Sequence, residues 1–289
     1  MNQEGPITWR NNKVLRWTLS HPRRLMNYAR LWINRRSHGE LLSYLPAVID
    51  IEPTIRCNLR CCMCQTTTWK RRCADLSIEG FRRILDEIPT LAKIKLQGMG
   101  EPLLNRQLFD MVEEAHGRKV AVETITNGTL FTDEVCERLV RARPEVIYVS
   151  IDGATSGTHE AIRSGSKLEN VHAGVLRLLK ARGSSKFPIV AVWTVGQREN
   201  LPELPEMVRQ FAEMRLDLMA FSLDMTAWGK DSWREQVDAR RLLAEDREVK
   251  ETTARAAEAA RRGGLHFRVH HAYGYECNNS RDCPWPWYS

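Results

Sequence analysis

Runs of apolar residues divide the chain into alternating short and long blocks. The short blocks are rich in Val and Ile without a clean apolar–polar alternation, which is typical of strands buried on both faces. They predict strands at 47–52, 93–97, 120–126, 146–151, 189–195, 217–223 and 265–270. The long blocks space their apolar residues at helical intervals and predict helices at 77–88, 105–117, 132–142, 168–182, 201–214 and 233–262. This alternation predicts an α/β fold, a partial or complete TIM-like (β/α) barrel over residues 47–271.

Polar residues stand at the ends of the predicted strands. A (β/α) barrel carries its reactive groups at the carboxyl ends of its strands. We therefore expect one polar mouth formed by Glu52, Gln97, Thr126, Asn127, Ser150, Asp152, Thr194, Ser222 and His270.

Four of the eight cysteines lie within eight residues, directly after the first predicted strand. Cys57, Cys61 and Cys64 have a C-x3-C-x2-C spacing, and the first 20 residues of the chain lack an apolar signal core. Clustered thiols in such a chain favour metal binding over disulfides. Three thiolates leave one metal position open, as in reactive metal sites, and fall one short of the usual four of an iron–sulfur cluster. A zinc site completed by Cys62 or Cys73, or buried thiols without a role, are the alternatives.

Glycines and a carboxylate follow the second predicted strand. Gly98 and Gly100 let the backbone approach a ligand closely, and Glu101 can accept hydrogen bonds from an ammonium group. The alternative is an ordinary glycine turn. After the fourth predicted strand, Ser150 and Asp152 stand two residues apart and can bind a ribose or a carboxylate; the alternative is a helix N-cap.

These motifs, in this order, resemble those of the radical S-adenosylmethionine (SAM) enzymes over residues 47–223. In that family three cysteines bind a [4Fe–4S] cluster and SAM chelates the fourth iron, which implies that Cys57, Cys61 and Cys64 are the cluster ligands. The resemblance is strongest to the branch with a C-terminal SPASM or twitch extension. The chain departs from the pattern at Met63, where an aromatic residue is usual, and at Met99, where the family has glycine.

The resemblance also implies a set of SAM contacts. They are Gly98, Gly100, Glu101, Asn127, Ser150, Asp152 and Arg163. The two glycines and Glu101 match the GGEP motif that binds the methionyl amino group. Ser150 and Asp152 match the ribose and methionyl region, and Arg163 matches an arginine that pairs with the SAM carboxylate.

The implied activity is reductive cleavage of SAM to a 5′-deoxyadenosyl radical that abstracts hydrogen from a substrate. A peptide or protein is the expected substrate, because SPASM-type members often mature ribosomal peptides. RNA and small molecules stay open as alternatives, and an electron donor such as flavodoxin or ferredoxin is implied. The alternative from another class is a non-enzymatic zinc-binding module that binds nucleic acid.

The net charge of +7 is concentrated at the amino end of the chain. Residues 1–46 carry eight Lys or Arg residues against Glu4 and Glu40. Their apolar residues predict one or two amphipathic helices, broken near His21-Pro22. We expect this appendage to pack on the barrel; RNA, a membrane surface or an acidic peptide is the alternative partner. No apolar run approaches 18 residues, so we expect a cytoplasmic chain without a transmembrane segment.

Residues 272–289 contain Cys277 and Cys283 before an aromatic, proline-rich end. They resemble the start of a SPASM or twitch extension, whose auxiliary iron–sulfur clusters need further cysteines. We expect a truncated extension without a complete auxiliary cluster.

Overall fold

The computed structural model describes residues 17, 21–37, 44–65, 74–225 and 231–270, and in them the predicted α/β fold is confirmed. One sheet holds parallel strands in the order β1 to β7, each paired with the next along the chain. The strands are β1 Val48–Ile51, β2 Lys93–Leu96, β3 Ala121–Thr126, β4 Val146–Ser150, β5 Ile189–Val195, β6 Leu218–Ser222 and β7 His266–His270. No ladder between described residues closes β7 onto β1, so the sheet is a partial barrel.

Helices connect the strands. They are α1 Pro22–Ser37, α2 Ile78–Glu87, α3 Leu108–Gly117, α4 Asp133–Ala142, α5 Ser156–Ile162, α6 Leu168–Arg182, α7 Leu204–Glu213, α8 Asp231–Arg240 and α9 Arg247–Gly263. Two of the starts are fixed by side-chain caps. Ser77 Oγ accepts a hydrogen bond from Gly80 N, and Thr132 Oγ1 accepts one from Val135 N.

The prediction of a single helix over 233–262 is wrong. The chain instead forms α8 and α9, separated by residues 241–246. The carbonyl of Arg240 accepts a hydrogen bond from Arg198 N, and Leu242 is buried in the core. These contacts end α8 although the sequence between the two helices contains neither glycine nor proline, and Asp246 occupies the N-cap position of α9.

Side chains at alternate positions of the strands point to opposite faces of the sheet. One face packs against the helices and contains Ile147 and Phe221, part of the main apolar core. The other face contains a smaller cluster with Tyr148. Arg268 Nη2 on β7 donates a hydrogen bond to the Tyr148 hydroxyl on β4 (2.9 Å). This contact skips β5 and β6, so the second face is the concave interior of the barrel.

Helix α1 covers the amino end of the barrel, opposite the carboxyl ends of the strands. Arg24 donates to the carbonyls of Lys119 (2.7 Å) and Arg118 (2.9 Å), which end α3 just before β3. Asn27 exchanges two hydrogen bonds with the backbone of Leu45, just before β1. The expectation that this part of the appendage packs on the barrel is confirmed. No helix among the described residues is long and apolar enough to cross a membrane.

Candidate functional site

The cysteine loop follows β1, at the carboxyl end of the sheet. Burial raises the pKa of Cys57, and Cys64 adds to that shift; burial raises the pKa of Cys61 to about 11, with further contributions from Cys64 and Cys57. The three thiols are therefore close electrostatic neighbours. Burial also raises the pKa of Cys62, but its charged neighbours are Arg240, Glu199 and Asp152 rather than the other cysteines. The structure thus separates the three predicted ligands from the fourth cysteine of the loop.

Backbone and side-chain contacts hold this loop in place. Arg60 N donates to Ser164 O, and Cys62 N donates to Ile162 O, both at 2.9 Å. Asn127 Nδ2 donates to Asn58 Oδ1 at 2.8 Å. Asn127, expected to contact SAM, therefore supports the cysteine loop directly.

Met63 stands where the family usually has an aromatic residue. Its side chain contacts an apolar cluster of Met225, Trp233 and Val237. The apolar character of this position is retained even though the usual aromatic ring is absent.

Gly98 and Gly100 stand where a side chain has no room. A Cβ on Gly100 would lie 2.0 Å from the backbone oxygen of Thr54, and one on Gly98 would lie 2.4 Å from Glu52 Oε1. The same Glu52 oxygen accepts a hydrogen bond from Met99 N at 2.5 Å. Gly100 is required because the segment after β2 runs against the backbone of Thr54 and Arg56, whereas a side chain at Gly98 would have to displace the Glu52 side chain.

Glu101 is buried, and its carboxylate fastens the segment to the end of β3. It accepts hydrogen bonds from Thr126 Oγ1 (2.7 Å), Asn127 N (2.7 Å) and Leu103 N (3.1 Å). Burial raises the pKa of this carboxyl group, and the three donors oppose the shift. Glu101 thereby unites the glycine segment with the Thr126-Asn127 turn, two motifs that are 25 residues apart in sequence.

Asp152 and Arg163 form a buried ion pair beside the cysteines. Arg163 Nε lies 2.6 Å from Asp152 Oδ2, and Arg163 Nη1 lies 4.0 Å from Cys61 Sγ. Asp152 Oδ1 accepts a hydrogen bond from Val195 N. Both oxygens of Asp152 thus have partners within the chain, and the predicted contact of Arg163 with a SAM carboxylate stays a prediction.

Ser150 has a different environment. It lies on the concave face and pairs in register with Trp193 of β5. Its hydroxyl makes no hydrogen bond to any described residue, which leaves it able to bind a ligand.

Two residues expected at the mouth, Thr126 and Thr194, lie on the opposite face of the sheet. Thr194 points away from the concave face and donates a hydrogen bond to Ile151 O, tying β5 to β4. Adjacent residues of a strand point to opposite faces, so Trp193 occupies the mouth instead.

Sequence analysis missed Gln197 and the residue that positions it. Gln197 is wholly buried, and its amide oxygen and nitrogen have no hydrogen-bond partner among the described residues. Its backbone N–H donates to Asn200 Oδ1, and Asn200 Nδ2 donates to Asp152 O. A buried amide without a protein partner keeps its capacity to hydrogen-bond a water molecule or a polar ligand. Only its position after a strand end could have signalled this.

Comparison with known proteins places these features in a family. A sequence model of the radical SAM superfamily matches residues 51–211, more than half of the chain. The chain therefore belongs to the radical SAM superfamily. Enzymes of this superfamily use a [4Fe–4S] cluster and SAM.

Curated relatives match the same part of the chain. The tungsten-containing aldehyde ferredoxin oxidoreductase cofactor-modifying protein of Pyrococcus furiosus is 35% identical over 179 residues, 60% of this chain and 50% of that protein. The PqqA peptide cyclase of Granulibacter bethesdensis is 25% identical over 221 residues, 75% of this chain and 56% of that protein. The chain thus spans about half the length of the curated relatives that it matches.

A solved structure shares the fold. The crystal structure of Streptococcus suis SuiB bound to S-adenosylmethionine superposes with a TM-score of 0.67 at 15% identity. The similarity covers 89% of this chain and 58% of SuiB. The partial barrel is therefore the fold seen in SuiB.

The described residues fit the two cofactors of this superfamily. Buried thiols with raised pKa values become thiolates when a positive partner binds them, and a cluster iron is such a partner. No three His, Cys, Asp or Glu side chains in the described ranges converge on the position of a single metal ion; a [4Fe–4S] cluster does not require that convergence, because its three thiolates would bind three different irons. The hydroxyl of Ser150, which lies on the concave face, suits a polar ligand such as SAM.

Proposed function

We propose that the chain is the catalytic barrel of a radical SAM enzyme that acts on a peptide or protein. When bound, the cluster supplies the electron that cleaves SAM to a 5′-deoxyadenosyl radical, which abstracts hydrogen from the substrate. The observation that carries this proposal is the position of the cysteine loop at the carboxyl ends of the strands, with Arg163 both paired to Asp152 and next to Cys61 Sγ, in a chain that matches the radical SAM model.

The protein's own residues supply position and seclusion. The three thiols would hold the cluster, and the Arg163 guanidinium next to Cys61 Sγ would offset the negative charge of the thiolates. Gly98 and Gly100 bring the backbone close to the cysteine loop, where its polar groups would meet the methionyl end of SAM. Ser150 would meet the ribose. Asp152, Arg163 and Glu101, which hold the surrounding segments together, are buried. The backbone around the proposed SAM contacts is therefore in place before a ligand binds.

A peptide substrate is supported by the relative that is named as a peptide cyclase. A small-molecule substrate is the second candidate, because one relative with 35% identity is named as a cofactor-modifying protein and another, 33% identical, is named as the AdoMet-dependent heme synthase of Methanosarcina barkeri, whose name points to a tetrapyrrole. Either reaction would need an external one-electron donor such as flavodoxin or ferredoxin. Contact with nucleic acid through the basic appendage would place that partner at α1, at the opposite end of the barrel from the cysteine loop.

Transfer of deuterium tests the whole proposal. The reconstituted, reduced protein would be incubated with SAM and pooled synthetic peptides with deuterated side chains, or with deuterated tetrapyrroles. We expect deuterium in 5′-deoxyadenosine from the peptide pool and none with Cys61→Ala. Transfer from the tetrapyrroles alone would assign the small-molecule function. Absence of transfer from both, with SAM intact, would refute the proposal.

A further inference from the structure

One row of residues crosses the concave face next to the proposed SAM site. In register, Ser150 of β4 pairs with Trp193 of β5, Trp193 with Ala220 of β6, and Ala220 with Arg268 of β7. Residues in register on neighbouring parallel strands point to the same face of the sheet. Arg268 therefore lies three strand spacings from Ser150, about 14 Å along the sheet.

The side chain of Arg268 reaches into the barrel without meeting an anion. Its Nη2 donates to the Tyr148 hydroxyl at 2.9 Å, and its buried Nε has no acceptor. Among the residues that the structure describes, Arg268 has no carboxylate partner. A partly buried guanidinium that has only a phenol as partner retains most of its capacity to bind an anion.

The lysines on the described part of this face are already paired. Lys93 pairs with Glu123 at 3.4 Å and Lys95 with Asp50 at 3.6 Å, and the His270 ring lies 2.9 Å from Asp224. Glu123, the carboxylate that contributes to the raised pKa of Tyr148, thus has its own cation. The contrast identifies Arg268 as the cation on this face that is suited to an incoming anion.

Tyr148 adds a second donor. Burial raises the pKa of Tyr148 to about 12, so its hydroxyl stays protonated at neutral pH. The hydroxyl oxygen accepts from Arg268, which leaves its hydrogen to donate. Together the guanidinium and the hydroxyl offer several donors to one planar acceptor, and a carboxylate matches that geometry.

Two small side chains lie between Tyr148 and Arg268. Ala191 of β5 and Ala220 of β6 occupy the concave face there and do not project beyond Cβ, with Leu218 of β6 next to Ala191. The Trp193 ring forms one wall, with its centroid 5.2 Å from that of His270. A substrate group in this space would lie in the same row as Ser150.

We propose that Arg268 and Tyr148 bind a carboxylate of the substrate and so hold the reacting group beside Trp193, next to SAM. This inference rests on the proposed function and names the chemistry of its substrate. An acidic side chain or the terminal carboxylate of a peptide supplies that group, and so does a propionate of a tetrapyrrole.

Binding of matched acidic and neutral probes tests the proposal. The reconstituted chain with SAM bound would be titrated with acetyl-glutamate methylamide, acetyl-glutamine methylamide and coproporphyrin, and Kd measured by calorimetry. We expect the acidic peptide probe to bind about tenfold or more tightly than its amide, since charge-assisted hydrogen bonds are the stronger ones. Arg268→Gln should abolish this preference, Tyr148→Phe should weaken it, and Arg268→Lys should retain part of it.

Arg247→Gln is the matched control, because Arg247 is an exposed arginine on α9. Retained iron content in each variant would show that the variant folds. Tighter binding of coproporphyrin than of acetyl-glutamate methylamide, again lost in Arg268→Gln, would support the carboxylate site and assign it to a tetrapyrrole. Equal binding of acid and amide to the wild type, or an unchanged preference in Arg268→Gln, would overturn the inference. Formation of 5′-deoxyadenosine by the same preparation shows separately whether the proposed function holds.

Discussion

Arg163 Nε lies 2.6 Å from Asp152 Oδ2, and the Asp152 side chain is wholly buried. The pair joins the end of β4 to the segment after α5, whose carbonyls bind the cysteine loop. The loop that would hold the cluster is therefore fixed by charges that belong to the protein. This relationship makes the site rigid before any cofactor binds.

Removal of one partner from this pair should destabilise the protein strongly. Asp152→Asn leaves the Arg163 guanidinium buried without its counter-charge, and loss of one member of a buried pair costs about 3–5 kcal/mol. Urea unfolding of the apoprotein measures the change. The double variant Asp152→Asn/Arg163→Met should lose less than the two single variants together.

The exposed pair of Arg247 and Glu251 provides the control for that experiment. Arg247→Ala should change the free energy of unfolding by less than about 1 kcal/mol, because exposed ion pairs contribute little. An Asp152→Asn protein as stable as the wild type would show that the buried pair does not support the loop.

Iron content should distinguish Cys62 from its neighbours. Alanine at Cys57, Cys61 or Cys64 removes one of the grouped thiols and should prevent retention of the cluster, whereas Cys62→Ala should bind as much iron as the wild type. Iron and sulfide analysis after anaerobic reconstitution gives the result. Loss of iron in Cys62→Ala, with Cys64→Ala unaffected, would reverse the assignment of the ligands.

Substitution of Gly100 should be costly because the obstructing atoms are backbone atoms. Gly100→Ala places a Cβ 2.0 Å from Thr54 O and 2.8 Å from Arg56 O. The backbone must shift to remove this steric clash. We expect a loss of about 2–3 kcal/mol in unfolding free energy and weaker SAM binding. Gly117→Ala is the matched control, since nothing lies within 4 Å of the added Cβ. Equal stability of the two variants would refute the close approach.

His159 should make the protein acid-sensitive. Burial, followed by the charges of Arg163 and His172, lowers the pKa of His159 from 6.5 to about 4. Between these values the unfolded chain binds a proton that the folded chain does not, so the stability from neutral His159 is complete above pH 6.5 and declines as the pH falls towards 4. The pKa difference corresponds to about 3 kcal/mol.

His159→Gln isolates this contribution. Its amide could accept from Asp152 N and donate to Ser166 Oγ, as the imidazole does, but it does not titrate. The free energy of unfolding should therefore fall more steeply with acid in the wild type than in His159→Gln. Parallel pH profiles would show that His159 does not carry the acid sensitivity.

The sequence was sufficient to predict each strand. Most strands are rich in Val and Ile, and even β7, which is partly exposed, follows a helix of clear apolar spacing. The Ser77 and Thr132 caps were also predictable, because capping involves residues three apart.

Relationships between distant residues could not be predicted in this way. Local propensity gives no sign that Arg198 N would bond Arg240 O and end α8. The pairing of Arg163 with Asp152, and the lack of an anion at Arg268, depend on which side chains the closed fold brings together. The predictions for residues 1–16, 18–20, 38–43, 66–73, 226–230 and 271–289, among them Cys73, Cys277 and Cys283, concern residues outside the described part of the chain.

Formation of 5′-deoxyadenosine from SAM tests the central claim most directly. The reconstituted protein would be reduced anaerobically with SAM, and the product quantified for the wild type, Cys61→Ala and Cys62→Ala. We predict product from the wild type and from Cys62→Ala, and none from Cys61→Ala. A cluster-loaded wild type that leaves SAM intact, or equal product from Cys61→Ala, would contradict the account.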